Sequence, residues 1–147
     1  MSIDDLKRQY ALTAQRRARI QNRIIKDYTR SATSQEKPIV VILGGQPGAG
    51  KSELTVHALQ WLNDDAVICN ADEYRNYHPQ FKEIATLHEK AYPEITAEYS
   101  KPWNDGLKSH CETRRFNYIL ETTFSSGHAM NQTIAILKLR GIWFTSC

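Results

Sequence analysis

A glycine-rich segment of eight residues most constrains how this chain can fold. Residues Gly45 to Ser52 read Gly-Gln-Pro-Gly-Ala-Gly-Lys-Ser, a complete match to the pattern G-x-x-x-x-G-K-[ST]. Glycines let the backbone bend tightly and turn its N–H groups inward, where they can reach phosphate oxygens. The sequence therefore predicts a phosphate-binding loop made of Gly45, Gln46, Pro47, Gly48, Ala49, Gly50, Lys51 and Ser52.

The residues on either side of this loop have the patterns of a strand and a helix. Residues 38–43 form a continuous apolar run, typical of a strand that is buried on both faces. After the loop, Leu54, Ala58 and Leu62 recur at helical spacing. This context favours a phosphate site over a glycine turn without a ligand. Lys51 is then expected to contact the β- and γ-phosphates of a nucleotide, and Ser52 to ligate Mg²⁺.

The order of apolar runs along the chain predicts an α/β fold. Predicted strands at 66–69, 117–121 and 142–145 alternate with helical patterns at 81–90, 102–115 and 128–139. We expect a P-loop kinase-like, doubly wound parallel sheet with helices on both faces, incomplete at the C-terminus, where the fourth strand would be an open edge. Residues 1–147 are predicted to form this single domain, with 1–35 as an N-terminal helical extension packed on it, in which Thr13 begins a helix.

Two carboxylates follow predicted strands, where ligands lie in open α/β sheets. Asp72 comes just after the second strand and is a candidate for accepting the proton of a hydroxyl group during phosphoryl transfer. The alternative is that Asp72 only caps the following helix. Glu121 ends the third strand and is a candidate for holding Mg²⁺ or its water shell, with a purely structural glutamate as the alternative.

Composition and charge indicate the cellular compartment in which the protein is expected to work. The net charge of +3 is uneven, because residues 1–37 hold nine Lys and Arg against four Asp and Glu. We favour a solvent-exposed helix face as the explanation for this excess of basic residues, over a contact with nucleic acid or an acidic partner. The three cysteines form no C-x-x-C pair, and neither a signal peptide nor a run long enough for a membrane span is visible. A cytoplasmic protein with reduced cysteines and no membrane contact is expected.

The motifs together resemble the zeta toxin family of UDP-N-acetylglucosamine kinases. The resemblance covers about residues 10–139 and rests on Gly44–Ser52, Asn70–Arg75, His78-Pro79, Tyr99-Ser100 and Ile119–Thr123. It implies transfer of a phosphoryl group from ATP or GTP, with Mg²⁺, to the sugar 3′-hydroxyl of a UDP-sugar. It also implies a small helical antitoxin as partner.

By position, the resemblance also implies roles for single residues. Asp72 matches the family's proton-accepting aspartate and Lys51 its phosphate-binding lysine. Glu121 and Thr123 match the acid and the threonine near the sugar and the metal. Asp105 stands where the family has a substrate-contacting acid, usually glutamate.

Two departures from the family pattern bear on activity. Phe124-Ser125-Ser126 stands where the family has an arginine, and Arg140 is the only arginine after Thr123. Because arginines that neutralise the transferring phosphoryl group are worth about 10³–10⁵ in rate, slow turnover of this chain is expected. Two alternatives therefore stay open, a different small-molecule P-loop phosphotransferase and a non-catalytic form that binds nucleotide or antitoxin.

Overall fold

A computed structural model describes residues 1–44, 51–122, 133–138 and 141–146 of the chain, giving backbone only for 51–52 and for the last two ranges. The helices are α1 (Ile3–Gln9), α2 (Ala14–Tyr28), α3 (Lys51–Trp61), a 3-10 helix (Ala71–Tyr77), α4 (Phe81–Leu87) and α5 (Tyr92–Arg114). The strands are β1 (Ile39–Gly44), β2 (Val67–Cys69), β3 (Tyr118–Thr122), β4 (Thr133–Lys138) and β5 (Gly141–Ser146).

The chain divides into two compact units, and the division falls within helix α5. The first unit comprises Met1–Asp27 and Ala71–Leu107, and the second comprises Tyr28–Asn70 and Lys108–Cys147. Residues 1–27 thus group with the 3-10 helix, α4 and most of α5. That residues 1–147 form one domain, with 1–35 as an extension packed on it, stays a prediction.

The second unit contains a five-stranded sheet in the order β2-β3-β1-β4-β5. Strands β2, β3 and β1 are parallel, whereas β4 pairs antiparallel with β1 and β5 pairs antiparallel with β4. The predicted α/β fold with parallel strands is confirmed for β1 to β3, and the predicted fourth strand forms the sheet edge as β5. The prediction that the sheet is parallel throughout was wrong, because β4 and β5 form an antiparallel hairpin.

The predicted helix over residues 128–139 is also wrong where the structure describes that range. Thr133–Lys138 is strand β4, in register with both neighbours, so that Ala135 lies opposite Ile42 of β1 and Phe144 of β5. A short apolar run rich in β-branched residues does not distinguish a helix from a buried strand by its period. The open edge of β1 supplies backbone partners for the segment, which favours the strand.

Helix α3 covers one face of the sheet through an apolar cluster. Ala58 and Leu62 pack with Val41, Leu43 and Ile119, which alternate along β1 and β3 as residues on one face must. Tyr118 points to the other face, where its hydroxyl donates to Glu112 of α5 at 2.8 Å. Helical residues of the second unit therefore lie on both faces of the parallel strands, as predicted.

The first unit is helical and is organised along α5. Its residues Ile95, Tyr99, Trp103 and Leu107 are all buried and recur every fourth position, forming one continuous face. The prediction that α5 begins at Pro102 was wrong, since the helix starts ten residues earlier with Pro102 inside it. Burial of this face stabilises the helix despite the hydrogen bond that a proline cannot donate.

The N-terminal segment contributes two helices to this unit. Thr13 caps α2 as predicted, because its hydroxyl accepts from the Arg16 N–H at 3.1 Å. Helix α1 was not predicted, although Ser2 and Asp5 form a capping box at its start. Leu6 of α1 and Tyr10, which follows its last residue, join a buried cluster with Ile84 and Ile95.

Candidate functional site

The backbone on both sides of the predicted phosphate loop has the expected form. Strand β1 ends at Gly44 and helix α3 begins at Lys51. Residues 45–50 and the side chains of Lys51 and Ser52 lie outside the described part of the structure. The strand before the predicted loop and the helix after it are therefore confirmed, and phosphate binding by Gly45–Ser52 stays a prediction.

Glu121 is held at the carboxyl edge of the parallel strands by two side-chain donors. It lies opposite Leu43 in the β1–β3 register, one position before the end of β1. Its Oε1 accepts from the Thr55 hydroxyl at 2.6 Å and its Oε2 accepts from the Asn70 amide at 2.8 Å. The carboxylate is partly buried, so these bonds fix its direction.

These contacts join the three segments that meet at the edge of the sheet. Thr55 stands one turn after Lys51 on helix α3, and residues four apart lie on the same helix face. Asn70 directly follows β2, and Glu121 lies near the end of β3. The cluster of Thr55, Asn70 and Glu121 therefore lies beside the start of the helix that carries Lys51 and Ser52.

The chemistry of this cluster fits the predicted magnesium site. Mg²⁺ prefers oxygen ligands, keeps several waters and takes only one or two protein groups in nucleotide sites. A carboxylate oxygen that accepts one hydrogen bond still has a lone pair for a metal or a metal-bound water. In the described ranges, no group of three or more His, Cys, Asp or Glu side chains could hold a metal, and a nucleotide-bound Mg²⁺ at Ser52 and Glu121 does not need one.

Asp72 lies in the first turn of the 3-10 helix, and its side chain is 58% exposed. Its Oδ1 accepts from the Arg75 guanidinium at 2.8 Å, which orients the carboxylate. Since the 3-10 helix already begins at Ala71, Asp72 is not its N-cap. The position leaves the carboxylate accessible from solvent, as a proton acceptor for a bound hydroxyl must be.

Buried aromatic residues anchor the 3-10 helix that carries Asp72. Tyr74 is fully buried, and the Tyr77 hydroxyl donates to Asp27 of α2 at 2.7 Å. His78 is also buried; its Nε2 donates to the Tyr10 carbonyl at 2.9 Å, and its Nδ1 accepts from the Gln80 N–H at 3.0 Å. These two bonds define the neutral Nε2–H tautomer, and burial lowers the pKa of His78.

The predicted site residues fall into the two units. Asp72 and Asp105 belong to the first unit, with Asp105 on an exposed position of α5. Lys51, Ser52 and Glu121 belong to the second. Thr123 lies outside the described residues, so its predicted contact with the sugar is not addressed.

Sequence reasoning missed Thr55 and the structural role of His78. Thr55 follows the lysine of the loop by one helical turn, a spacing that could have placed it near the end of a neighbouring strand. His78 was singled out only by its resemblance to a family motif, and no local pattern indicates its partner Tyr10, which lies 68 residues away.

Among the residues that the structure places, no helix is long and apolar enough to cross a membrane.

The chain matches a family model and several known proteins. The family model for "Zeta toxin" matches residues 22–143, most of the chain. Toxin PezT of Streptococcus pneumoniae serotype 4 is 29% identical over 121 residues, which cover 81% of this chain and 47% of that protein. Toxin zeta of Enterococcus hirae is 25% identical over 117 residues, covering 80% of this chain and 41% of the relative.

A solved structure gives the same result for the fold. A chain from the PezAT chromosomal toxin–antitoxin system of Streptococcus pneumoniae superimposes with a TM-score of 0.73 at 25% identity, covering 78% of this chain and 48% of that chain. The chain thus spans less than half the length of each of these three proteins.

Proposed function

This chain belongs to the zeta toxin family, and we propose that it transfers the γ-phosphoryl group of ATP or GTP to the sugar 3′-hydroxyl of UDP-N-acetylglucosamine, as the toxin of a toxin–antitoxin system. The match over residues 22–143 carries this proposal, because it contains both the phosphate-loop pattern and the two carboxylates Asp72 and Glu121.

In the proposed reaction, the 3′-oxygen of the sugar bonds to the γ-phosphorus while the bond to the β–γ bridging oxygen breaks. The hydroxyl proton passes to Asp72, and the nucleoside diphosphate leaves. Lys51 and the loop N–H groups bind the phosphates, and Ser52 and Glu121 would hold Mg²⁺, which neutralises phosphate charge when bound. Asp105 and Thr123 are proposed to position the sugar nucleotide.

Two observations on the structure support these roles. Glu121 has both oxygens fixed by Thr55 and Asn70, so it is directed before any ligand arrives. Asp72 is exposed on a short helix that Tyr74 and His78 anchor in the interior. A rigid, oriented carboxylate is what a proton acceptor needs, since misplacement by about 1 Å can cost about 10² in rate.

The acceptor can be identified by incubating the chain with γ-labelled ATP and Mg²⁺ and a panel of UDP-sugars. We expect label in UDP-N-acetylglucosamine, with Lys51→Ala as the inactive control. Transfer to another hydroxyl compound but to no UDP-sugar would favour a different P-loop phosphotransferase. The absence of any transfer by a folded chain would overturn the catalytic proposal.

We also propose a small helical antitoxin as partner, supported by the likeness to a chain of the PezAT toxin–antitoxin system, and a cytoplasmic location. Co-expression of the chain with the protein from the neighbouring reading frame, followed by affinity purification, tests the first. Recovery of the tagged chain alone would count against an antitoxin from that frame.

A second candidate function is nucleotide binding without turnover. The segment Phe124-Ser125-Ser126, which stands where the family pattern has an arginine, favours it. Nucleotide binding that Lys51→Ala abolishes, in a chain that transfers no phosphate, would support this function over catalysis.

A further inference from the structure

A pocket with three arginines lies entirely within the first unit. It has a volume of about 280 Å³ and is lined by Arg16, Arg19, Ile20, Arg23, Tyr77 and Pro79. The arginines follow one another at intervals of three and four residues along α2, so they project from one face of the helix. Ile20, which is buried, lies between them and contributes apolar surface to the wall.

The three arginines form no ion pair within the described part of the chain, and the nearest acid along α2 is Asp27, one turn after Arg23, whose carboxylate accepts from the Tyr77 hydroxyl at 2.7 Å. The ion pairs found there join Lys7, Arg8 and Arg75 to acids, and none involves Arg16, Arg19 or Arg23. Like charges at i,i+3 and i,i+4 destabilise a helix by about 0.2–0.5 kcal/mol per pair. A stripe of arginines around a concave surface therefore has a stability cost that an anion would remove.

We propose that this pocket binds a phosphorylated small molecule through its phosphoryl oxygens. Guanidinium groups present paired N–H donors that match phosphate in a bidentate geometry. The pocket volume lies just below the range of typical small-ligand pockets, roughly 300 to 1,000 Å³, which suits a ligand of small size. Ile20, Pro79 and the ring of Tyr77 offer apolar surface for the rest of such a ligand.

The pocket differs in composition from the catalytic site proposed above. It shares no lining residue with the Asp72–Arg75 pair or with the cluster of Thr55, Asn70 and Glu121. The inference goes beyond the proposed kinase function and does not depend on it.

Calorimetric titration with inorganic pyrophosphate tests the pocket. The Lys51→Ala variant is used as the background, because the phosphate loop would otherwise bind the probe. We expect this variant to retain one pyrophosphate site. Adding Arg16→Gln, Arg19→Gln and Arg23→Gln should weaken binding at that site at least about tenfold, since several charge-assisted hydrogen bonds are lost.

A matched control removes the same charge from the same unit. Lys82, Lys90 and Lys101 are exposed, lie outside α2 and line no part of the pocket. Their joint replacement by glutamine in the Lys51→Ala background should leave pyrophosphate affinity within about twofold, because exposed charges that do not line the pocket are largely screened by salt. Glutamine is a good helix former, so circular dichroism should show both triple variants folded.

Three results would overturn the proposal. The first is no pyrophosphate binding by the Lys51→Ala variant, and the second is binding that the arginine replacements leave unchanged. The third is arginine-dependent binding of a short DNA duplex with no binding of pyrophosphate, which would assign the surface to nucleic acid. Kinase activity of the wild-type chain is measured separately, so failure of this pocket leaves the proposed function intact.

Discussion

Glu121 is the candidate site residue whose hydrogen-bond partners are most fully defined. Two neutral donors, the Thr55 hydroxyl and the Asn70 amide, direct its two oxygens from different segments. Hydrogen bonds to charged groups contribute about 1.5–3 kcal/mol each. The network therefore both stabilises the edge of the sheet and orients a carboxylate towards the start of α3.

Replacing Thr55 by alanine should destabilise the chain by about 1–3 kcal/mol, because Thr55 is buried and donates to a carboxylate. Urea denaturation of the variant measures this change. Thr55→Ser keeps the hydroxyl and should recover most of the loss. If Thr55→Ala and Thr55→Ser have the same free energy of unfolding, the hydrogen bond between the Thr55 hydroxyl and the Glu121 carboxylate does not contribute to stability.

His78 should make stability depend on pH in the weakly acidic range. Burial lowers the pKa of His78 below its ordinary value of 6.5, so the unfolded chain binds the proton more readily than the folded chain. The free energy of unfolding should therefore fall as the pH drops below about 6.5, by at most about 1.4 kcal/mol per pH unit for this one group. Denaturation curves between pH 7.5 and 5 measure the slope.

The control for this prediction is another histidine of the same chain. His57 is exposed on α3, so His57→Gln should keep the pH dependence. His78→Gln should flatten it, since the side chain can no longer be protonated. An equal slope in wild type and His78→Gln would show that other groups cause the dependence.

At the scale of elements, Gly106 marks a close contact between α2 and α5. A Cβ on Gly106 would lie 2.2 Å from Oε1 of Gln21, whose Nε2 donates to the Trp103 carbonyl at 3.0 Å. Gly106 is thus explained by the approach of a neighbouring side chain within the first unit. The helix tolerates the glycine because its buried face supplies the stability.

The effect of Gly106→Ala should depend on Gln21. Alanine is worth about 1 kcal/mol over glycine in a helix, but here Gln21 must move and lose a hydrogen bond of about 1 kcal/mol. We expect little gain in the wild type and a gain of about 1 kcal/mol in a Gln21→Ala background, measured by urea denaturation. Ser109→Ala, at an exposed position of the same helix, should have the same effect in both backgrounds. Equal effects of Gly106→Ala in both backgrounds would contradict the contact.

Helices and strands with a clear period and local signals were predictable. Thr13 correctly predicted the start of α2, and the apolar run before the loop correctly predicted β1. Strand β4 was not predictable, because its six residues fit both periods and its partners lie in β1 and β5. The start of α5 was not predictable from Pro102, because a proline suits the first turn of a helix, whereas the buried face of α5 extends back to Ile95.

At the scale of the whole molecule, the candidate catalytic and metal-binding residues were easier to predict from the sequence than the residues that hold them in place. The positions of Lys51 after β1 and of Glu121 at the end of β3 followed from local patterns. Thr55 and Asn70, which hold Glu121, are 66 and 51 residues away from it along the chain. Tertiary partners at such separations leave no periodic signal, so only the structure could show them.

Asp72, as the group that accepts the proton, is the residue on which the proposed phosphoryl transfer depends most. The direct test is the rate of phosphate transfer from γ-labelled ATP to UDP-N-acetylglucosamine by wild type and Asp72→Asn, with ATP affinity measured on the same samples. We predict a fall in rate of about 10²–10⁴ at unchanged ATP affinity, since general-base catalysis contributes that factor. Transfer by Asp72→Asn at the wild-type rate would contradict the proposed mechanism.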